Sequence, residues 1–258
     1  MPFPNKGENH ASGIKNEVDT VNYLNINPDN NITKHLSEYY SSNITSFKHE
    51  GGTQQKRDAS YMLEDGTTKG ISIKNHKTGT FDWTNTTKGV PEDLKSIITD
   101  FKNKNCDKPI PKKGGVRDEL ANILSNYLDK LTSNDISELL SKITKTEENT
   151  DTIIINDVKK KEFILIHESN LEPYINTSHT FILKSGQRAR QSRQIWIKSS
   201  DGSEINTNLR IRLVLNNGIT ALLGNSEKNK VSVPCLKIQQ DKVDTFISNC
   251  VGKVIVKY

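Results

Sequence analysis

What the chain lacks narrows its chemistry first. Three cysteines occur in 258 residues, Cys106, Cys235 and Cys250, far apart and in no C-x-x-C or Cys/His spacing. That spacing argues against a zinc module, and an odd count without a leader fits a reducing compartment. No apolar run approaches the roughly 18 residues of a membrane span, which excludes an integral membrane protein built of helices. The first residues, MPFPNKGENHAS, hold no apolar stretch of a secretory leader, so the expected location is cytoplasmic. The chain has no GxxxxGK[ST] loop, GxGxxG turn, GxSxG elbow or HExxH pair. The simplest nucleotide-hydrolase, dinucleotide, esterase and zinc-protease readings fall with them, and no nucleotide cofactor is expected. Aromatics are 6% and form no stacking motif of the RNP type, so RNA is the less favoured nucleic acid.

What is present is polar but foldable. Apolar residues make up 33% and charged residues 26%, above the disordered range, and the length allows one large domain or two modest ones. Lys and Arg outnumber Asp and Glu by 36 to 31, a net charge of +5 that permits an anionic partner without requiring one. Arginine is rarer than lysine and unevenly placed. Of seven arginines, five (Arg188, Arg190, Arg193, Arg210 and Arg212) fall between 188 and 212. Clustered guanidiniums suit phosphates and guanine edges; the plain alternative is a solvated basic face.

Ile14, Val18, Val21 and Leu24 recur at helical spacing behind Ser12, predicting a helix over 12–24, with a second short one at 32–41. Strands are expected at 44–49, 58–63 and 70–76, the last two joined by the Glu64-Asp65-Gly66 turn, and Pro91 opens a helix to about 102. Residues 103–115 read as a linker. Two apolar stripes, Val116–Leu131 and Ile136–Ile143, predict a helical pair, either a hairpin packed on a core or a DNA-reading helix-turn-helix. Beyond 152 the pattern is mainly β: strands at 152–155, 162–166, 180–183, 194–198, 209–215 and 219–223, the last two flanking an Asn216-Asn217-Gly218 hairpin turn.

The chemistry concentrates in residues 51–85. On the expected hairpin, Asp58, Ser60 and Met62 share one face of the first strand, and Ser72, Lys74 and His76 one face of the second. A register that sets Asp58 beside Ser72 or Lys74 pairs a carboxylate with an ammonium. Such a pair can hold a divalent cation and offset charge on a phosphorane, or be no more than a cross-strand ion pair. Asp58 followed by Ser72-Ile73-Lys74 on the next strand resembles the PD-(D/E)xK nuclease superfamily, which includes most type II restriction endonucleases. The resemblance covers roughly residues 10–102 and implies an αβββα core.

Two positions depart from the pattern. Arg57 stands where the motif has Pro, and Ser72 where it has an acidic residue. Some restriction enzymes of the superfamily carry Ser there and take the carboxylate from elsewhere. Glu17 on the first helix and Asp82 are the candidates here. His76 and Trp83 stay outside the catalytic set.

The resemblance implies a Mg2+-dependent endonuclease cutting double-stranded DNA as a sequence-specific homodimer. Asp58 and Glu17 would hold the metal, Lys74 would act on water and the transition state, and Ser72 would assist by hydrogen bond. Arg188, Arg190, Arg193, Arg210 and Arg212 would bind DNA; on the strand LRIRLVL, Arg210 and Arg212 point away from Leu209, Ile211 and Leu213. The expected fold is mixed α/β: a restriction-endonuclease-like core over 1–110, a linker and helical hairpin over 111–150, and a β-rich recognition region over 151–258. The alternatives are a homing, repair or structure-specific nuclease of the same fold, or a DNA-binding protein without catalysis.

Overall fold

The computed structural model describes residues 6–50, 57–76, 81–84, 90–106, 108–144, 150–171, 179–185, 190–215, 218–224, 231–238 and 242–258. It is a mixed α and β protein, with seven α-helices and two sheets among those residues. The helices are α1 (Lys6–Ile26), α2 (Asn31–Tyr40), α3 (Glu92–Asn105), α4 (Val116–Lys130), α5 (Ser133–Thr144), α6 (Gly218–Leu223) and α7 (Val243–Asn249). The strands are β1 (Ile44–His49), β2 (Ala59–Leu63), β3 (Thr68–His76), β4 (Phe81–Thr84), β5 (Thr150–Asp157), β6 (Glu162–His167), β7 (Thr180–Ser185), β8 (Ser192–Lys198), β9 (Glu204–Leu215), β10 (Val231–Ile238) and β11 (Val254–Lys257). No helix among them is long and apolar enough to cross a membrane.

The chain divides into two compact units that interleave in sequence: residues 1–79, 145–173 and 247–258 form the first, and 80–144 with 174–246 the second. This differs from the sequential division at 110 and 150. Strands β5, β6 and β11, expected in a recognition region, complete the first unit's sheet, while β4 and α3 belong to the second. The reason is the parallel pairing of β3 with β5. Parallel neighbours need a long crossover, and here the crossover contains β4 and helices α3 to α5.

The first unit is built on a sheet of order β1-β2-β3-β5-β6-β11. Gly66, at φ +83, makes the tight turn between β2 and β3, and Asp65 accepts the Thr67 N–H at 2.8 Å to hold it. One sheet face carries Phe47, Ala59, Tyr61, Leu63, Ile71, Ile73, Ile154, Phe163 and Leu165, which pack with Val21 and Leu24 of α1 and Ile32 and Leu36 of α2. Helix α2 starts on Asn30, whose side chain accepts the Thr33 N–H at 2.9 Å, and stops on Ser41 in the left-handed conformation.

At one end of this face His167 of β6 is buried, at 2% exposure, with its Nε2 3.1 Å from His35 Nε2 and its ring stacked on Tyr39. Burial, then the neighbouring His35, pushes the His167 pKa down to about 4, against a smaller upward pull from Asp151. Between the unfolded value of 6.5 and about 4 the unfolded chain binds a proton that the folded chain refuses. Stability is therefore full above the upper value and is lost as pH falls through this window. Thermal melting of His167→Gln across that range should show a flatter pH dependence than wild type; parallel curves would rule the linkage out.

The second unit has a sheet of order β4-β10-β9-β8-β7, and α4, α5 and α6 contact β8, β7 and β10, and β9 respectively. The two helices expected near 116–143 thus form α4 and α5, each in contact with this sheet. Alternation decides which side is covered. Ile195, Ile197, Leu209, Ile211 and Leu213 are buried, whereas Gln194, Trp196, Arg210 and Arg212 are half-buried on the opposite side. One expected strand is a helix: 219–223 forms α6, entered through Gly218 at φ +74. Ile219, Leu222 and Leu223 are buried at i, i+3 and i+4, a helical spacing that outweighs the alternating reading of the same run. Asn216 and Asn217 lie outside the described residues.

Candidate active site

The residues singled out on the β2–β3 hairpin do come together, and backbone geometry explains how. Asp58 N–H donates to the Ile71 carbonyl at 2.9 Å, and regular β2–β3 pairing begins only at Ala59 and Ile71. The amides of alternate residues on a strand point the same way, so the Ile73 N–H also faces β2, past the point where pairing has begun. The Asp58 carboxylate fills that position. Its Oδ2 accepts the Ile73 N–H at 2.6 Å and the Ser72 hydroxyl at 3.2 Å, and lies 3.8 Å from Lys74 Nζ. Ser72 and Lys74 sit on the sheet face opposite the buried Ile71 and Ile73. Among the described residues, Asp58 Oδ1 accepts no hydrogen bond, which leaves a carboxylate oxygen available to a ligand.

Glu17 is not part of this cluster. Its carboxylate is 3.0 Å from His49 Nε2. His49 is two residues from the core residue Phe47, so this pair belongs to the helix-covered face. No hydrogen bond or ion pair joins Glu17 to Asp58, Ser72 or Lys74. The Asp82 side chain lies outside the described residues; its backbone is on β4, paired with Lys237.

The carboxylate that sequence reasoning missed is Glu50. The β1–β2 register runs Lys48 to Ser60 and His49 to Ala59, and Glu50 N–H continues it by donating to the Asp58 carbonyl at 3.1 Å. Glu50 is thereby across from Asp58, as Ser72 is on the other side. Its Oε1 accepts the Ser60 hydroxyl at 2.7 Å, and Arg57 makes an ion pair with Oε2. Arg57, the residue in the motif's proline position, thus neutralises a carboxylate next to Asp58. Hairpin register alone could have found Glu50, which directly precedes Gly51-Gly52.

Further along the same face, His76 is in register with Asp157 of β5, and both are buried. A His76 ring nitrogen and an Asp157 oxygen lie within 4.8 Å of each other, and Asp157 Oδ1 accepts the N–H groups of Lys159 and Lys160 at 3.1 Å each. His76 is a buried polar residue.

The arginine cluster separates into three kinds. Arg193 is structural: it turns into the helix-covered side of the second unit, forks onto Asp129 with Nε–Oδ1 and Nη2–Oδ2 distances of 2.8 Å, and donates to Ser125 Oγ at 2.7 Å. Its place on β8 with Ile195 and Ile197 explains this, and it corrects the expectation of a DNA contact. Arg190 is exposed and lies 3.7 Å from Asp118 on α4. Arg210 and Arg212 keep the uncovered face, and the Nε atoms of both are buried with no hydrogen-bond partner among the described residues. Arg188 lies outside the described residues. No family model matches this chain, and no curated protein matches it.

Proposed function

We propose that the protein is a Mg2+-dependent endonuclease that hydrolyses phosphodiester bonds of double-stranded DNA, in the manner of a type II restriction enzyme. The observation that carries this reading is the Asp58 carboxylate at the β2–β3 fork, with Ser72 and Lys74 beside it and Oδ1 accepting no hydrogen bond among the described residues. The order of elements supports it in part: two helices lead into three antiparallel strands with a further strand parallel to the third, whereas α3, expected to close an αβββα core, belongs to the second unit.

The donor set fits a hard divalent cation. Mg2+ keeps several waters and takes one or two carboxylates together with substrate phosphate. Asp58 would be the first carboxylate, and Glu50 replaces Glu17 as the second, reached by exchanging its Arg57 contact. Bound there, the cation would lower the pKa of a water and offset charge on the phosphorane.

The chain's own groups do the rest. Asp58 is fixed by the Ile73 N–H. Ser72 holds its hydroxyl on the carboxylate. The Lys74 ammonium stabilises the charge that develops on the phosphoryl oxygens. The water oxygen forms the new P–O bond and gives up a proton, the P–O bond to the leaving deoxyribose oxygen breaks, and that oxygen takes a proton from solvent. Two copies would cut both strands of a symmetric site, since site symmetry mirrors protein symmetry.

The second reading, a DNA-binding protein without catalysis, is favoured by one observation: Arg57 and Ser60 already occupy both oxygens of Glu50. Purified protein incubated with unmodified plasmid and phage DNA, with Mg2+ or with EDTA, separates the two. Discrete fragments that require Mg2+ are expected. Mg2+-dependent nicks or a smear would point to a repair or structure-specific nuclease. DNA that stays intact but shifts on a native gel would select the non-catalytic reading.

A further inference from the structure

The uncovered face of the second unit's sheet carries a charge arrangement that the hydrolytic site does not explain. Along β9, Asn206, Asn208, Arg210 and Arg212 alternate with buried residues, and all four are half-buried. Register places Gln194 of β8 beside Arg210, and Lys184 of β7 beside Gln194. Lys184 stands over the Trp196 ring, 4.1 Å from its centroid, and pairs with Glu204. Trp196 Nε1–H donates to Gln194 Oε1 at 3.4 Å. That bond uses the Gln194 oxygen as an acceptor, and its amide nitrogen can only donate.

Glu204 is thus matched by Lys184, and among the described residues no carboxylate is paired with Arg210 or Arg212. Their guanidiniums are neighbours: burial and then Arg212 pull the Arg210 pKa downward. Two adjacent guanidiniums whose Nε atoms lack partners repel each other, and an external anion relieves that cost. They stand two residues apart on one strand, about 6.8 Å, comparable to the step between successive phosphates along a nucleic-acid strand.

We infer that this face, with Arg210 and Arg212 at its centre and Lys184 and Gln194 beside them, binds the phosphate backbone of duplex DNA. Charge complementarity selects a polyanion. Two cations one strand repeat apart on the same face suit a repeating phosphate chain better than a single ion. The inference deepens the nuclease reading, since it names where the same substrate is held, and it rests on that reading for the choice of DNA.

The test uses the full chain and a labelled mixed-sequence duplex of about three helical turns. Binding is followed by anisotropy in EDTA, so no cleavage intervenes, and repeated across about 50 to 200 mM salt. The double variant Arg210→Gln/Arg212→Gln should weaken binding on the order of tenfold at the upper salt and lower the log–log salt slope by about two. Arg210→Lys/Arg212→Lys, which keeps both charges, should retain the slope, and it tests the face even if the glutamine pair does not fold. An unchanged slope and affinity in the folded glutamine variant would overturn the inference, as would a lost slope in the lysine variant. Binding of inorganic phosphate alone, with no duplex binding, would overturn it as well. The two readings fail separately. Wild type that binds through these arginines but never cleaves keeps the face and removes the nuclease. Cleavage by a double variant with wild-type affinity does the reverse.

Discussion

Lys74→Ala is expected to abolish discrete Mg2+-dependent fragments while leaving the protein folded and able to bind DNA. Lys74 is 24% exposed and its contact with Asp58 is 3.8 Å, longer than a hydrogen bond. An ion pair of that kind contributes about 0–1 kcal/mol to stability, so the melting temperature should barely move. On the nuclease reading its catalytic contribution is of a different order. A cation held against developing charge in a transition state is worth about 10²–10³ in rate, by analogy with removal of one oxyanion-hole donor. Single-turnover cleavage of plasmid by the variant should therefore fall by at least about a hundredfold with unchanged affinity in EDTA. Cleavage at the wild-type rate would remove Lys74 from the mechanism.

On the nuclease reading Asp58 has two roles, and two substitutions separate them. Asp58→Ala removes both the ligand oxygen and the acceptor for the Ile73 N–H. An orphaned buried amide costs about 1–3 kcal/mol, so this variant loses cleavage and some stability together. Asp58→Asn keeps an amide oxygen for the Ile73 N–H but no carboxylate charge for a cation. It should melt near wild type and still not cleave. If both variants cleave normally with Mg2+, the fork is a structural ion pair and nothing more.

How much of this was legible in the sequence depends on the range of the interaction. Asp58, Ser72 and Lys74 are joined by a hairpin whose turn and alternation are local, so their meeting could be read from the chain. Glu50 needed one further register, that of β1 on β2. The β5, β6 and β11 strands look like any others in sequence; only pairing across a crossover assigns them to the first sheet. Glu17 illustrates the limit of a stripe argument. It does lie at the edge of an apolar face, but its partner His49 came from a strand end that helical periodicity cannot see. The arginine cluster was legible by parity and was read that way for only one strand. Arg210 and Arg212 were separated from Leu209 and Ile211, while Arg193 shares its parity with Ile195 and Ile197 and was still assigned to DNA.

That parity sets the largest expected effect on stability. Arg193 is 5% exposed and makes bonds to Asp129, Ser125 and the carbonyls of Arg190 and Ser192, tying β8 to α4. Arg193→Ala opens a void and leaves buried acceptors on Ser125 and the β8 backbone unmet, and each such orphaned group costs about 1–3 kcal/mol. Arg193→Lys should recover little, because an ammonium cannot fork onto both Asp129 oxygens. Asp129→Ala is the informative counterpart. Its side chain is 54% exposed, so water already screens it, yet its loss leaves a buried guanidinium with no counter-ion. Hydrogen bonding from Arg193 also holds the Asp129 carboxyl below its ordinary value. That contribution is present above the unfolded carboxyl value and is lost as pH falls through the lower folded one. Both tryptophans, Trp83 and Trp196, belong to the second unit, so their fluorescence in urea reports on this region directly. The expected order of stability is wild type, then Asp129→Ala, then Arg193→Lys and Arg193→Ala. An Arg193→Ala protein within about 1 kcal/mol of wild type would return Arg193 to the exposed basic cluster.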